Sequence, residues 1–329
     1  MNSQALMLMI IVWGLSLAFS LLVLVKASDL FTESAETIGT WLRLPPFVIG
    51  VTIVAIGTSL PELASSITSV IKGSSEIVIG NVVGSNIANI FLVLGVTAII
   101  ARKLNITYEL IHVDLPLLIS SAGLLAITVW DRTFSLGEAI ICLIALVIYI
   151  TFTMQSEKSG KDKEIKKEMK TEQKLLKKRA KLKFTTWFVL VLSAFFIYVG
   201  SEFTVSSIIE LSNILGVGRE IIAASAVALG TSLPELVVSI SAARKGQPEI
   251  AVGNILGSNI FNSLAVMGVP AFFGVLIIPE SILAFSLPVM LFATFLYFFT
   301  TQDRQITRWE GYMLVLFYVL YMGKLLSFF

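Results

Sequence analysis

Few of the residues that build redox centres and soluble enzymes occur in this sequence. Its 329 residues include one cysteine and one histidine, and only 14% of them are charged, against about 25% in a typical soluble domain. A single cysteine, Cys142, excludes an internal disulfide, a CxxC redox pair and a thiolate metal cage. Because Cys142 lies in an apolar run, we expect it to be a small buried residue.

The sequence is instead rich in long apolar segments. The chain is 56% hydrophobic, and apolar runs of about 20 residues, long enough to cross a bilayer as a helix, recur along its whole length. The first run has no basic segment before it and no small-residue cleavage motif after it, so we interpret it as a spanning helix and not as a signal peptide. The expected fold is therefore an all-α integral membrane protein with ten transmembrane helices in the lipid bilayer. We expect these helices near residues 5–35, 46–71, 76–100, 111–130, 136–154, 184–212, 219–243, 249–274, 280–300 and 308–327.

One segment, residues 155–183, is polar and strongly basic and contains 12 of the 24 Lys and Arg residues. It divides the chain into two regions of five helices, residues 1–154 and residues 184–329. Because cytoplasmic loops are enriched in Lys and Arg, we place this segment in the cytoplasm and both termini outside the cell membrane. We interpret it as a solvated linker that sets this orientation, with a regulatory or lipid-contacting role as the alternative.

A short pattern occurs once in each half, always at the same separation. GTSLPEL begins at Gly57 and again at Gly230, and GSNIxN begins at Gly84 and again at Gly257. The offset between the repeats is constant, because 230 − 57 and 257 − 84 both equal 173. Between residues 57 and 89, 20 of the 33 positions are identical to their equivalents in the second copy. Because five helices make up each half, the second copy enters the membrane from the opposite side, and the sequence predicts two inverted-topology repeats.

Each copy places a glutamate, Glu62 or Glu235, within apolar sequence, where a charge costs roughly 2.5–3.5 kcal/mol and marks a functional site. The proline before each glutamate has no N–H to donate, so we expect a free carbonyl four residues back and a broken helix at the glutamate. Carboxylates, hydroxyls and free carbonyls are the ligands that Ca²⁺ and Na⁺ prefer. We therefore predict a cation site shared by the two repeats. The alternative is that the prolines only kink the helices and the polar residues only join them.

At these motifs the sequence resembles the cation/Ca²⁺ exchanger superfamily, in particular the prokaryotic Na⁺/Ca²⁺ exchangers. The resemblance covers nearly the whole chain, with signature regions at residues 55–89 and 228–262. It implies that Glu62 and Glu235 serve both the Ca²⁺ and the Na⁺ sites. The other ligands that it implies are the carbonyls of Thr58 and Thr231 for Ca²⁺, the side chains of Ser59, Ser232, Ser85 and Ser258 with the carbonyls of Ala55 and Ala228 for Na⁺, and the amides of Asn89 and Asn262. Some relatives have aspartate where this chain has Asn262, so this site has one titratable group fewer.

The resemblance also implies a secondary antiporter, which is not an enzyme. Such a protein would exchange extracellular Na⁺ for cytoplasmic Ca²⁺ by alternating access, electrogenically, with three Na⁺ for one Ca²⁺. Its substrates would be Ca²⁺ and Na⁺, and we expect no cofactor, no nucleic acid and no obligate protein partner. An H⁺/Ca²⁺ antiporter of the same fold is an alternative. An intramembrane hydrolase is a remote one, because HExxH, GxGD and a serine–histidine pair are all absent. Inverted repeats around paired acids favour a carrier over a channel.

We assign other roles to four acids outside these ligand sets and to the only histidine. We interpret Asp29 and Glu202, which are related by the same offset, as partly exposed residues near helix ends, with a role in gating or in the aqueous path as the alternative. Glu76 and Glu249 begin predicted helices, where a carboxylate favours the positive end of the helix dipole. His112 opens a helix at the expected membrane interface, and we do not expect it to be a ligand.

Overall fold

The computed structural model describes residues 3–71, 73–106, 114–156, 184–214 and 219–326. Ten helical segments follow one another through these residues, which confirms the predicted all-α membrane fold. They are α1 (Ser3–Trp41), α2 (Pro46–Ile71), α3 (Glu76–Ala101), α4 (Asp114–Thr128), α5 (Leu136–Ser156), α6 (Phe184–Ile214), α7 (Arg219–Arg244), α8 (Pro248–Phe272), α9 (Ile282–Thr301) and α10 (Arg308–Leu325). Most of the basic segment, residues 157–183, and His112 lie outside the described residues.

Within the described residues, seven of these segments are long and apolar enough to cross a membrane. The shorter apolar helix α4, together with α7 and α10, completes the ten. Helix α1 continues to Trp41, beyond its expected end at residue 35. Its last turns bury Phe31, Ala35 and Ile38 among neighbouring helices, and this tertiary packing extends the helix past the purely apolar run.

Four short strands lie in the connections between helices. They are β1 (Lys103–Asn105), β2 (Thr133–Phe134), β3 (Leu276–Ile277) and β4 (Gln305–Thr307). β1 pairs antiparallel with β4, and β2 pairs antiparallel with β3. Because α4 follows β1 and precedes β2 in the chain, the two small sheets cap opposite ends of the helices. Each sheet joins a connection of the first repeat to one of the second.

Helices α2, α3, α7 and α8, which carry the two motifs, form the centre of the molecule. Helix α8 packs against the first half of α2, α7 packs against α3, and α7 and α8 contact each other. Helices α1 and α6 lie side by side against α7 on one flank, whereas α9 and α10 pack against α3 on another. This arrangement buries the glutamate of each motif within the helical core.

The crossing of α2 over α8 is close because glycines line it. A Cβ atom on Gly253 would lie 2.5 Å from the carbonyl oxygen of Phe47. One on Gly257 would lie 2.7 Å from the Cβ of Ala55 and would also collide with the carbonyl oxygen of Val51. Small residues allow helix backbones to approach in membranes, and here they bring α2 and α8 into direct backbone contact.

Candidate functional site

Glu62 and Glu235 are both buried, with 1% and 0% of their surface exposed. The hydroxyl of Ser59, on the first repeat, donates a hydrogen bond of 3.1 Å to Oε1 of Glu235, on the second. The structure therefore brings the serine of one motif to the glutamate of the other, although the two are separated by 176 positions in the chain.

Two further contacts join the repeats beside this one. The hydroxyl of Thr58 donates to Oδ1 of Asn254 at 3.1 Å and lies 3.5 Å from the hydroxyl of Ser258. The side-chain amide of Asn89 donates to Oδ1 of Asn259 at 3.2 Å. The first GTSLPE turn and both GSNIxN helices thus meet in one buried polar cluster.

Several oxygen atoms of the candidate residues are buried without a hydrogen-bond partner among the described residues. They are both carboxylate oxygens of Glu62, Oε2 of Glu235, the hydroxyl of Ser232, and the side-chain oxygens of Asn89 and Asn262. Buried polar atoms nearly always have partners in native structures, and a buried carboxylate without one is especially costly. A cation that binds these oxygens would remove the deficit.

The negative charge of the two glutamates also favours a bound cation. In the described part of the chain, no Lys or Arg forms an ion pair with Glu62 or Glu235. Nor do the described residues contain a group of three or more His, Cys, Asp or Glu side chains that could hold a metal ion. Two carboxylates surrounded by neutral oxygens therefore have a net negative charge that a bound cation or protons must offset.

The two proline motifs differ in backbone geometry. In α2 the helix is interrupted at Ser59 (φ −89°, ψ 4°), just before Pro61, as expected. Helix α7 instead continues from Arg219 to Arg244 with Pro234 inside it. The expected break at Glu235 is therefore wrong. A proline removes one backbone hydrogen bond, and in a membrane helix the surrounding helices can accommodate that loss without ending the helix.

Asn89 and Asn262 each begin a π-helical segment, Asn89–Leu94 and Asn262–Val266. The two segments are related by the repeat offset and lie in equivalent helices of the two repeats. Short π-helical insertions are rare and occur frequently at functional sites, because they change the direction of a side chain and disturb the regular i→i−4 bonding. Both asparagines are fully buried.

The remaining candidates are placed as follows. The hydroxyl of Ser85 donates to Oδ1 of Asn81 at 3.4 Å. The carbonyl of Ala55 already accepts from the backbone N–H of Ser59 at 3.0 Å and from the hydroxyl of Thr58 at 3.3 Å. Ala228 and Thr231 belong to α7, but their side chains and contacts lie outside the described residues.

Two asparagines and two serines of this cluster were missed by the sequence reasoning. Asn81 and Asn254 donate to the carbonyl oxygens of the two glutamates, and Ser66 and Ser239 are their second acceptors. The GN pair in each repeat, together with a serine shortly after each glutamate, was the available signal.

The four other acids considered in the sequence, Asp29, Glu202, Glu76 and Glu249, have more ordinary surroundings. Asp29 accepts from the hydroxyl of Ser241 at 2.6 Å, and its carbonyl accepts from Nζ of Lys245 at 2.7 Å. Lys245 also pairs with Glu33 at 3.1 Å, so these groups fasten α1 to the end of α7. Glu202 is exposed. The expected helix starts are confirmed, with Glu76 and Glu249 in first turns, and Cys142 is buried as predicted.

Comparison with known proteins identifies the family. A model of the sodium/calcium exchanger protein family matches residues 12–155 and 185–326. The sodium/calcium exchanger MaX1 of Methanosarcina acetivorans is 37% identical, over 95% of this chain and 98% of the relative. The putative antiporter CaxA of Alkalimonas amylolytica is 31% identical, over 93% of this chain and 96% of the relative.

A solved structure of the sodium-calcium exchanger NCX_Mj matches with a TM-score of 0.78 and 27% identity, over 95% of this chain and 98% of the other. The family match falls on both five-helix regions, and these relatives are transporters rather than enzymes. The chain belongs to the sodium/calcium exchanger family of multi-pass membrane antiporters.

Proposed function

We propose that this protein exchanges Na⁺ for Ca²⁺ at a single site that both repeats build. One observation carries the proposal: Glu62 and Glu235 are both buried, Ser59 of the first motif donates to Glu235, and three of the four carboxylate oxygens have no partner among the described residues. Oxygen ligands of this kind suit Ca²⁺ and Na⁺. The names of MaX1 and NCX_Mj, both sodium/calcium exchangers, agree with this substrate pair.

The ligand set that we propose follows the resemblance of the motifs. Glu62 and Glu235 bind both ions, and the backbone carbonyls of Thr58 and Thr231 complete the Ca²⁺ site. The proposed Na⁺ ligands are Ser59, Ser232, Ser85, Ser258 and the carbonyls of Ala55 and Ala228. Asn89 and Asn262 supply the remaining side-chain oxygens, neither of which has a hydrogen-bond partner in the described part of the chain.

Charge explains why the two ions alternate. Two carboxylates neutralise one Ca²⁺, and Na⁺ ions that use the same carboxylates repel it at close range. Full occupancy by both ions is therefore unfavourable, and the site releases one to bind the other. Each release requires access from one side of the membrane, which suits two repeats of opposite orientation with the site where they meet.

The direction and charge balance that we propose are those of a Ca²⁺ exporter. The basic segment 155–183 faces the cytoplasm, Na⁺ enters from outside down its gradient, and Ca²⁺ leaves. With three Na⁺ for one Ca²⁺, each cycle moves one net charge, worth about 2.3 kcal/mol per 100 mV of membrane potential. An imposed potential would then drive Ca²⁺ flux even at equal Na⁺ concentrations.

The second candidate is H⁺/Ca²⁺ exchange, because two buried carboxylates can bind protons as readily as cations. Purified protein in liposomes distinguishes the two. At a membrane potential clamped by K⁺ and valinomycin, we expect ⁴⁵Ca²⁺ flux to follow an imposed Na⁺ gradient and to be indifferent to a pH gradient in Na⁺-free buffer. Flux that follows only the pH gradient would replace Na⁺ by H⁺ as the coupling ion.

A further inference from the structure

A buried asparagine holds the backbone of each glutamate. In the first repeat, Nδ2 of Asn81 donates to the carbonyl oxygen of Glu62 at 3.3 Å and to the hydroxyl of Ser66 at 3.1 Å. Its own Oδ1 accepts from Ser85, one turn further along the same helix. These contacts join the glutamate turn of α2 to α3 within one repeat.

The second repeat has the equivalent arrangement at the equivalent positions. Nδ2 of Asn254 donates to the carbonyl oxygen of Glu235 at 3.5 Å and to the hydroxyl of Ser239 at 3.0 Å. In both repeats the asparagine follows its glutamate by 19 positions. The recurrence shows that these contacts belong to the repeat and are not an accident of packing.

Asn254 makes one contact that crosses between the repeats. Its Oδ1 accepts from the hydroxyl of Thr58 at 3.1 Å. One fully buried amide therefore touches both the backbone of Glu235 and the residue whose carbonyl is a proposed Ca²⁺ ligand. Both N–H groups of this amide donate and its oxygen accepts from Thr58, so the amide links the backbone of Glu235 to the first repeat.

We infer that Asn254 is a positioning residue that fixes the carboxylate of Glu235 and the carbonyl of Thr58 at one separation and thereby sets cation affinity. Asn81 has the same relation to Glu62 within the first repeat. Oxygen ligands gain affinity when their positions are set before the ion arrives, because binding then orders fewer groups. The inference rests on the proposed function, since it concerns that same site.

The test removes the Asn254–Thr58 bond from either end. Asn254→Ala and Thr58→Val should each raise the KM for Ca²⁺ about three- to tenfold, with little change in maximal exchange rate. Thr58→Ser keeps the hydroxyl, so its KM should lie much closer to that of the wild type than the KM of Thr58→Val does. The double variant Asn254→Ala/Thr58→Val should be less impaired than the product of the two single effects, because the Asn254–Thr58 bond is lost in both single variants.

Thr294→Val is the matched control. Thr294 is buried in α9, and among the described residues it donates to the carbonyl of Met290 in its own helix, so the loss of its hydroxyl should leave KM unchanged. An unchanged KM in Thr58→Val, equal effects of Val and Ser at position 58, or multiplying effects in the double variant would each overturn the inference. If Asn254→Ala does not fold, the Val and Ser variants of Thr58 still test the same bond.

Flux measurements on the wild-type protein distinguish a failure of this inference from a failure of the proposed function. Wild-type liposomes without Na⁺-driven Ca²⁺ flux would refute the function. The same variants would then be compared by the rise in melting temperature that Ca²⁺ or Na⁺ produces in detergent. A smaller rise in Asn254→Ala and Thr58→Val than in Thr58→Ser would support positioning, and equal rises would refute it.

Discussion

At the scale of single residues, Asn89 and Asn262 are equivalent in the repeat but differ in their contacts. The amide nitrogen of Asn89 donates to Asn259, whereas neither polar atom of Asn262 has a partner among the residues that the structure describes. The two residues therefore differ in their amide nitrogens, whereas neither side-chain oxygen has a hydrogen-bond partner among the described residues. Because neither residue titrates, all the negative charge of the candidate ligand set belongs to Glu62 and Glu235.

The first prediction follows from that concentration of charge. Glu62→Gln and Glu235→Gln keep the side-chain volume but remove half of the site's negative charge, so each should reduce Na⁺-driven ⁴⁵Ca²⁺ flux in liposomes to the level of empty vesicles. Glu76→Gln, an exposed glutamate in the first turn of α3, is the control and should keep flux within about twofold of wild type. Size-exclusion profiles should match for all three. Retained exchange in Glu62→Gln would refute its role as a shared ligand.

At the scale of helices, how much the sequence could predict depended on whether a feature is local. Apolar length and the odd helix count gave ten helices and two inverted repeats, because both arise from the chain's own composition. The contrast between the break before Pro61 and the unbroken helix at Pro234 could not be predicted. The two motifs are identical in sequence, so the surrounding helices decide how each missing hydrogen bond is accommodated.

At the site, too, contacts between distant parts of the chain could not be predicted. The glutamates and serines could be found from sequence because they recur in an apolar background. The pairing of Ser59 with Glu235 and of Thr58 with Asn254 depends on the α2–α8 crossing and on contacts between repeats, which no spacing within one repeat encodes. Asn81 and Asn254 were overlooked because the GN pair in each repeat does not show that the asparagine bonds to the carbonyl of a glutamate 19 positions earlier.

The close α2–α8 crossing gives the second prediction. A methyl group on Gly257 would collide with Val51 and Ala55, so Gly257→Ala should force α2 and α8 apart. We expect a loss of about 1–3 kcal/mol of stability, measured as a lower melting temperature in detergent, together with weaker Ca²⁺ exchange. Gly123→Ala in α4 is the control, since a Cβ atom there meets none of the described atoms within 4 Å. Equal melting temperatures for the two variants would contradict the importance of this crossing.

At the scale of the whole molecule, the pairing of the short strands shows how the two repeats are oriented relative to each other. Adding the offset of 173 to the numbers of β1 (103–105) gives 276–278, which overlap β3, and adding it to those of β2 (133–134) gives 306–307, within β4. Yet β1 pairs with β4, and β2 pairs with β3. Equivalent strands therefore lie at opposite ends of the helices, as two repeats inserted in opposite directions require.

This arrangement makes the sidedness of the connections testable with single cysteines. The exposed positions Ser281, after β3, and Asp303, before β4, lie at opposite ends of α9. In a Cys142→Ala background, a membrane-impermeant maleimide applied to intact cells should label Ser281→Cys. Asp303→Cys, on the side of the basic segment, should react only after the membrane is permeabilised, because Lys- and Arg-rich connections stay in the cytoplasm. Labelling of both from outside would contradict the spanning of α9, whereas the reverse pattern would keep the inverted repeats and reverse the proposed orientation.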